Sequence, residues 1–162
     1  MILIAAVDEN WGIGLKNDLL FHCPNDLHRF RHLTKGGTVV MGRKTWETLP
    51  TKPLPQRRNI VLSTKAEHQE NEASLFLTLE EFLRDWKDRE NVFVIGGGQI
   101  YHLLLPYVKE AYITKFFTDG HADVFIDNFE KDPSWVLDDI SPNFQWNEIS
   151  YQFQHFKRIL QQ

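Results

Sequence analysis

Several stretches of this chain carry side chains and spacings suited to chemistry. Three glycines, Gly96-Gly97-Gly98, interrupt the β-formers Val92-Phe93-Val94-Ile95. Ile100, Leu103 and Leu104 then recur at helical spacing, with Gln99 and Tyr101 between, until Pro106 stops the helix. A strand that feeds a helix through residues without side chains leaves backbone N–H groups aimed at open space, where an anion such as a diphosphate can sit. The spacing departs from G-x-G-x-x-G, so a tight turn needing positive φ accounts for the same residues. Gly42-Arg43-Lys44-Thr45, directly after Thr38-Val39-Val40-Met41, repeats the arrangement with two cations and a hydroxyl. Ser63-Thr64-Lys65, closing Asn59-Ile60-Val61-Leu62, is a third cluster suited to phosphate.

Asp26 is the carboxylate of interest. It stands four before Phe30, beside the apolar stripe Leu27, Phe30 and Leu33 of a helix that starts at Pro24 and stops near Gly36-Gly37. Two readings stay open: an acid set against an apolar cleft, or an acid favoured by any helix's first turn. Arg57 and Arg58 leave a stiff loop containing Pro50, Pro53 and Pro55 and enter a strand. Alternation points them opposite ways, so one could fork a carboxylate while the other faces water. His28 and His32 have the i, i+4 spacing of a metal pair, but no HExxH or cysteine cluster accompanies them. They read as a solvated face, and no metal is expected. Cys23 beside His22 reads as a small apolar residue at a helix entrance rather than a nucleophile beside its base.

These residues need a frame to bring them together. Ile2 to Val7 reads as a core strand, with Ala5 and Ala6 small enough for something flat to approach. Asp8 to Cys23 reads as a long functional loop, hinged at Gly12-Ile13-Gly14 between the apolar weights Trp11 and Phe21. Ser74 to Leu77 reads as a short strand. Thr78-Leu79-Glu80-Glu81 is a capping box opening an amphipathic helix through Leu79, Phe82, Leu83 and Trp86. Ala111 to Phe117 is another strand. Residues 134–141 and 148–160 read as longer strands around a turn at Pro142-Asn143, with alternation slipping near His155-Phe156 as at a bulge. The expected fold is α/β and three-layered: a mostly parallel twisted sheet, helices on both faces, and an antiparallel C-terminal strand pair.

At 162 residues the chain is expected to be a single domain, 1–162. A hydrophobic fraction of 42% and a charged fraction of 25% fit an ordinary globule. Net charge of −4 without a basic run argues against a nucleic-acid partner. One cysteine fits a reducing cytoplasm. The apolar opening ends at Asp8, too short for a signal or a membrane span, so no membrane partner is expected.

In this order and spacing, over essentially the whole chain, the residues resemble dihydrofolate reductase of the bacterial chromosomal type. The carriers are the Ile13-Gly14 loop, Pro24-Asn25-Asp26-Leu27 through Phe30, and Val40-Met41-Gly42-Arg43-Lys44-Thr45-Trp46-Glu47. They continue with Pro53-Leu54-Pro55 through Arg57 and Asn59, Ile95-Gly96-Gly97-Gly98 through Tyr101, and Tyr112-Ile113-Thr114. The resemblance implies NADPH-dependent reduction of 7,8-dihydrofolate to tetrahydrofolate, by hydride transfer to pterin C6 and protonation of N5, in a cytoplasmic monomer. It implies that Asp26 accepts hydrogen bonds from the pterin N3–H and 2-amino group, with Thr114 supporting it and water carrying the N5 proton. Ile4, Ala5, Ala6, Leu27, Phe30 and Leu49 would line the pterin and benzoyl pocket, and Arg57 would clamp the glutamate α-carboxylate. Arg43, Ser63, Thr64 and Lys65 would surround the adenosine 2′-phosphate. Thr45 with Gly96, Gly97, Gly98, Gln99, Ile100 and Tyr101 would receive the diphosphate, and Ala6, Ile13, Gly14, Gly42, Lys44, Leu62 and Ile95 complete the implied cofactor site. The family's Gly96-Gly97 bond is a cis peptide.

The chain also departs from the family. Leu20-Phe21 stands where Pro-Trp is usual, losing an indole N–H that could hold an active-site water. Ala122-Asp123-Val124 replaces Gly-Asp-Thr, with Asp123 still expected to bond the Gly14 loop, and Cys23 replaces a bulkier apolar residue. The same residues leave two other functions open: reduction of another pterin or a pyrimidine, which would offer Arg57 no carboxylate, and a non-catalytic nucleotide-binding module.

Overall fold

The computed structural model describes residues 1–64 and 74–159. In chain order the first elements are β1 (Ile2–Val7), β2 (Gly12–Leu15), β3 (Asp18–Leu19), α1 (Pro24–Thr34), β4 (Thr38–Gly42), α2 (Arg43–Thr48) and β5 (Arg58–Leu62). Then come β6 (Ser74–Leu77), α3 (Leu79–Trp86), β7 (Val92–Gly96), α4 (Gly98–Leu104), a 3-10 turn (Leu105–Tyr107) and β8 (Glu110–Phe116). The last are β9 (Val124–Phe125), β10 (Trp135–Ile140), β11 (Phe144–Trp146) and β12 (Ile149–Arg158).

Strands buried on both faces read as unbroken apolar runs, and alternation along them divides the core in two. Leu3, Ala5 and Val7 of β1, with Val40, Ile60, Leu62 and Val94, pack with Phe82 and Trp86 of α3 and Tyr101 and Leu104 of α4. Val39, Met41, Val61 and Phe93 pack with Trp46 of α2. Helices thus cover both faces, giving the three layers expected. The sheet order is β10-β12-β8-β1-β7-β4-β5-β6. The six strands from β8 to β6 in that order run parallel. The C-terminal strands add on antiparallel, β12 to β8 and β10 to β12. One consequence matters for chemistry: the carboxyl ends of β1, β4, β5 and β7 share one edge, where open α/β sheets bind ligands. Register puts Met41 opposite Gly96 and Gly42 opposite Leu62 there.

Several local expectations are corrected. Asp8 to Cys23 is not a bare loop: β2 and β3 form a hairpin, and β9 joins them in a second, three-stranded sheet. Lys16 and Asn17 both take positive φ, 51° and 64°, as a two-residue primed turn requires. That dipeptide lacks the glycine that signals such turns, which hid the hairpin. The turn near Pro142 carries β11, which folds onto β12 through Asn147 and Glu148, again both at positive φ. The register shift lies not on β12 at His155-Phe156 but on β10 opposite it, between Leu137 and Asp139. Trp11 and Phe21 do not hang on a mobile lid but are 2% and 6% exposed in the core. The α1 stripe stays partly open, with Leu27 39% exposed, and Thr34 is the buried residue of the helix.

The capping box is formed as expected. Thr78 Oγ1 accepts from Glu81 N at 3.2 Å, and Glu81 Oε1 accepts from Thr78 N at 3.2 Å. Thr78→Ala should therefore lower stability by about 1 kcal/mol, read by urea unfolding, since α3 then starts with unpaired N–H groups.

Candidate active site

Cys23 is the N-cap residue of α1 and Pro24 follows in its first turn, which places Asp26 at the helix entrance. Cys23 is buried beside Phe21, Phe116 and Tyr151, as a small apolar residue at that entrance should be. The Asp26 side chain does not turn back to cap the helix. Its Oδ1 accepts from Thr114 Oγ1 of β8 at 2.6 Å. Thr114 is buried and stands opposite Ala6 across the β1–β8 pairing. Burial pushes the Asp26 pKa up, while the Thr114 hydroxyl and the Arg29 charge pull it partly back. The carboxyl is thus turned onto the sheet and largely shielded from solvent rather than left on an open first turn. Ile4, Leu49, Leu54 and Ile95 are also only partly buried, leaving an apolar surface available to a flat ligand.

At the shared strand edge, the glycines make the tight turn at positive φ that their sequence allows. Gly96-Gly97 is a cis peptide and Gly96 has φ +135°, a conformation that excludes side chains. A Cβ on Gly96 or Gly97 would stand 3.5 or 3.4 Å from Thr45 Oγ1, so the turn and the β4–α2 junction face each other. Tyr101 donates its hydroxyl to the Ile4 carbonyl at 2.6 Å, tying α4 to β1. Burial drives that phenol's pKa up, so it stays a donor. A Cβ on Gly98 would come within 2.5 Å of Val124 Cγ1, because β9 lies against the turn. Helices α4 and α2 have only seven and six residues, so their dipoles contribute less than expected. What the edge offers is bare backbone, the Thr45 hydroxyl and nearby cations.

The expected Asp123 contact is formed: Asp123 N donates to Gly14 O at 2.9 Å and Asp123 Oδ2 accepts from Lys16 N at 3.1 Å. Asp8, unremarked in the sequence, does more. Its buried carboxylate accepts from Asn10 N, Gly12 N and Gly120 N at 2.8–2.9 Å, fastening both sides of the small sheet.

Arg57 is 8% exposed while Arg58 is exposed, as alternation predicts. Arg57 Nε donates to Pro55 O at 2.9 Å and Nη1 to Thr34 Oγ1 at 3.0 Å, with the guanidinium 5.7 Å from the Phe30 ring. Burial and then Arg31 draw its pKa down. Asn59 braces the proline loop through Leu54 N, Leu54 O and Arg57 O at 2.9–3.1 Å. Thr34 escaped the sequence reading because a hydroxyl at a helix end carries no pattern of its own, and Asn59, read there only as part of the resemblance, shows its bracing role only in the fold.

The remaining candidates are dispersed. Ala5 and Leu62 pack into the α3–α4 core, and Ile13 and Ile100 lie against it. Lys44 and Gln99 are exposed. Arg43 Nε lies 3.2 Å from Glu47 Oε1, close to Ser63 and Thr64 because β4 and β5 are neighbours. Lys65 lies outside the described residues. Phe21 stacks on Phe116 at 4.2 Å, turned into the aromatic cluster under β12. His28 and His32 are exposed, and His22 lies 3.2 Å from Asp18. No group of three or more metal-ligating side chains is gathered among the described residues, and no helix there is long and apolar enough to cross a membrane.

An open, mostly parallel sheet with helices on both faces, antiparallel C-terminal strands and a glycine turn at its carboxyl edge defines a protein of the open α/β class, in which ligands bind at that edge. The chain belongs to the dihydrofolate reductase family, whose model, described as dihydrofolate reductase, matches residues 1–158. It is similar to the dihydrofolate reductase of Neisseria meningitidis serogroup A, 36% identical over 156 residues and 96% of each chain. It is 37% identical to that of Bacillus subtilis over 83% of this chain and 79% of the relative. To that of Mycobacterium tuberculosis it is 44% identical, over 70% and 69%.

Two outcomes follow from the site's energetics. Because the folded pKa of Asp26 lies above its ordinary 3.8, the folded state holds a proton that the unfolded chain has released. Its contribution to stability is full below that value and is lost as pH rises through the folded pKa. Asp26→Asn should therefore be more stable than the parent at neutral pH, with the difference vanishing in acid, as denaturant titrations at several pH values would read. Thr34→Val strands a buried guanidinium N–H and should cost about 1–3 kcal/mol, read the same way.

Proposed function

We propose that this chain reduces 7,8-dihydrofolate to 5,6,7,8-tetrahydrofolate with NADPH, and that Asp26 is the residue that holds the pterin. The observation that carries this is the Asp26 carboxyl, largely buried and bonded to Thr114, in a chain matching the family along nearly its whole length. The Asp26 carboxylate accepts from the pterin N3–H and 2-amino group, and Thr114 fixes its direction. Ile4, Ala6, Leu27, Phe30 and Leu49 provide an apolar bed for the ring and the benzoyl group. Arg57, braced by Pro55 O and Thr34, meets the glutamate α-carboxylate with its orientation already set.

The glycine turn suits a diphosphate: a backbone without side chains lies beside the Thr45 hydroxyl, with Arg43, Ser63 and Thr64 one strand away for a 2′-phosphate. Bound there, NADPH supplies the hydride for pterin C6. The Asp26 carboxyl orients the ring, and water brings the proton to N5. Phe21, stacked on Phe116, has no polar hydrogen to hold that water, so its placement falls to groups around Asp26. We read the chain as a single-domain, cytoplasmic monomer without nucleic-acid or membrane partners.

Mixing the protein with NADPH and dihydrofolate should oxidise the cofactor, and NADH should serve far less well; no oxidation would leave a nucleotide-binding module. Arg57→Ala removes a charge-assisted hydrogen bond of about 1.5–3 kcal/mol and should raise KM for dihydrofolate roughly 10- to 100-fold with kcat little changed. An unchanged KM would point to a substrate without the glutamate tail. Asp26→Asn should still bind substrate but turn over far more slowly at neutral pH.

A further inference from the structure

Beyond the Asp26–Thr114 contact, the outer face of the β8–β12 pair carries a second set of groups aligned with it. Thr114 is the register partner of Phe153, and Tyr112, two residues away on the same face, is the partner of His155. Arg29 stands one helical turn after Asp26 on α1, on the same side of the helix. Its guanidinium carbon lies 4.1 Å from the Phe153 ring centroid and 5.8 Å from that of Tyr112. Asp26 and Arg29 therefore rest on neighbouring positions of one sheet face, the acid on Thr114 and the cation on the aromatic partner of Thr114.

We propose that Arg29 is a positioning residue for Asp26: held on the Phe153 and Tyr112 rings, it keeps a fixed positive charge on the sheet position paired with the one where Thr114 holds the carboxyl. This deepens the reading of Asp26 as the pterin-holding acid and rests on it. An arginine free in solvent would be screened and mobile, whereas two aromatic faces confine this one. Tyr112 is itself fixed, stacked on His155 at 4.5 Å with planes 10° apart. His155 lies 3.3 Å from Glu110 and 3.4 Å from Asp138, and Asp138 lies 3.4 Å from Lys157.

The other groups facing Asp26 cannot substitute for the cation. From β8 come the Thr114 hydroxyl and Tyr112, and from α4 comes Tyr101, whose hydroxyl is committed to Ile4. From β12 comes Tyr151, which accepts from Asn25 Nδ2 at 2.8 Å, and before α1 lies Cys23. Of these residues Arg29 alone carries a full positive charge. Burial, the largest influence on Asp26, favours the protonated acid, and Arg29 opposes it; in turn Asp26 is the first charge supporting Arg29, followed by Tyr112 and Asp139. An ionised Asp26 is the form that accepts two hydrogen bonds from a pterin.

The test is a pH titration of the Asp26 carboxyl carbon by 13C NMR on the full chain, its signal assigned by its loss in Asp26→Asn. Arg29→Gln should move the midpoint upward by about half a unit or more, and Arg29→Lys, which restores a cation over the rings, should reverse most of the shift. Phe153→Leu, which keeps the charge but removes its shelf, should give an intermediate rise. Arg29→Met, which retains an apolar stem over the rings, serves if Arg29→Gln does not fold. An unmoved midpoint in the folded Arg29→Gln or Arg29→Met protein overturns the proposal, as does a rise that Arg29→Lys leaves in place. The titration uses neither substrate nor cofactor, so it reads Arg29 whether or not the reductase assay succeeds.

Discussion

The hydrogen bond from Thr114 to Asp26 joins the entrance of α1 to the centre of β8, and the working geometry of the molecule depends on it. A carboxyl set among apolar neighbours is costly to ionise, and one strong donor offsets part of that cost while aiming the group. The acid can then serve a ligand that brings donors of its own. Leu27 is exposed, and Phe30 on α1 and Leu49 after α2 are only partly buried. Apolar area left uncovered in this way forgoes burial it would gain inside, and on the proposed function a flat ring would cover it.

The carboxyl edge of the parallel strands sets the second half of the site. Parallel pairing brings the ends of β1, β4, β5 and β7 together without any side chain directing it. Local chemistry refines that edge. Gly96 adopts a backbone conformation closed to other residues, Tyr101 ties the following helix to Ile4, and Val124 packs against Gly98. Asp8 fastens the small β2-β3-β9 sheet through three backbone N–H groups, so the segment over the turn is a built element with its own register.

Arg57 shows how a buried guanidinium is held in one orientation by the fold. Two acceptors hold its guanidinium and Asn59 holds the loop that carries it, so little conformational freedom remains to be lost on binding. Arg29 is prepared differently, by aromatic faces, and its neighbourhood on β12 and β10 is rich in charge. The departure at Phe21 has a structural counterpart as well: the ring is stacked into the C-terminal aromatic cluster, on Phe116 and against Trp146.

Much of the fold was legible in the amino-acid order because its signals are local. The apolar runs of β1, β4, β5 and β7, the Thr78 capping box, the stop at Gly36-Gly37 and the opposed Arg57 and Arg58 depend on backbone periodicity and nearest neighbours alone. Asp26, the glycine turn and the phosphate-suited clusters were legible as residue types at particular spacings. Which of them meet was decided by tertiary structure, since pairings such as Asp26–Thr114, Arg57–Thr34, Tyr101–Ile4 and Arg29–Phe153 join segments far apart in the chain. The same holds for the β2–β3 hairpin and the bulge on β10. Their turn residues and register are chosen by strands arriving from elsewhere, and no local pattern records a partner that only folding supplies.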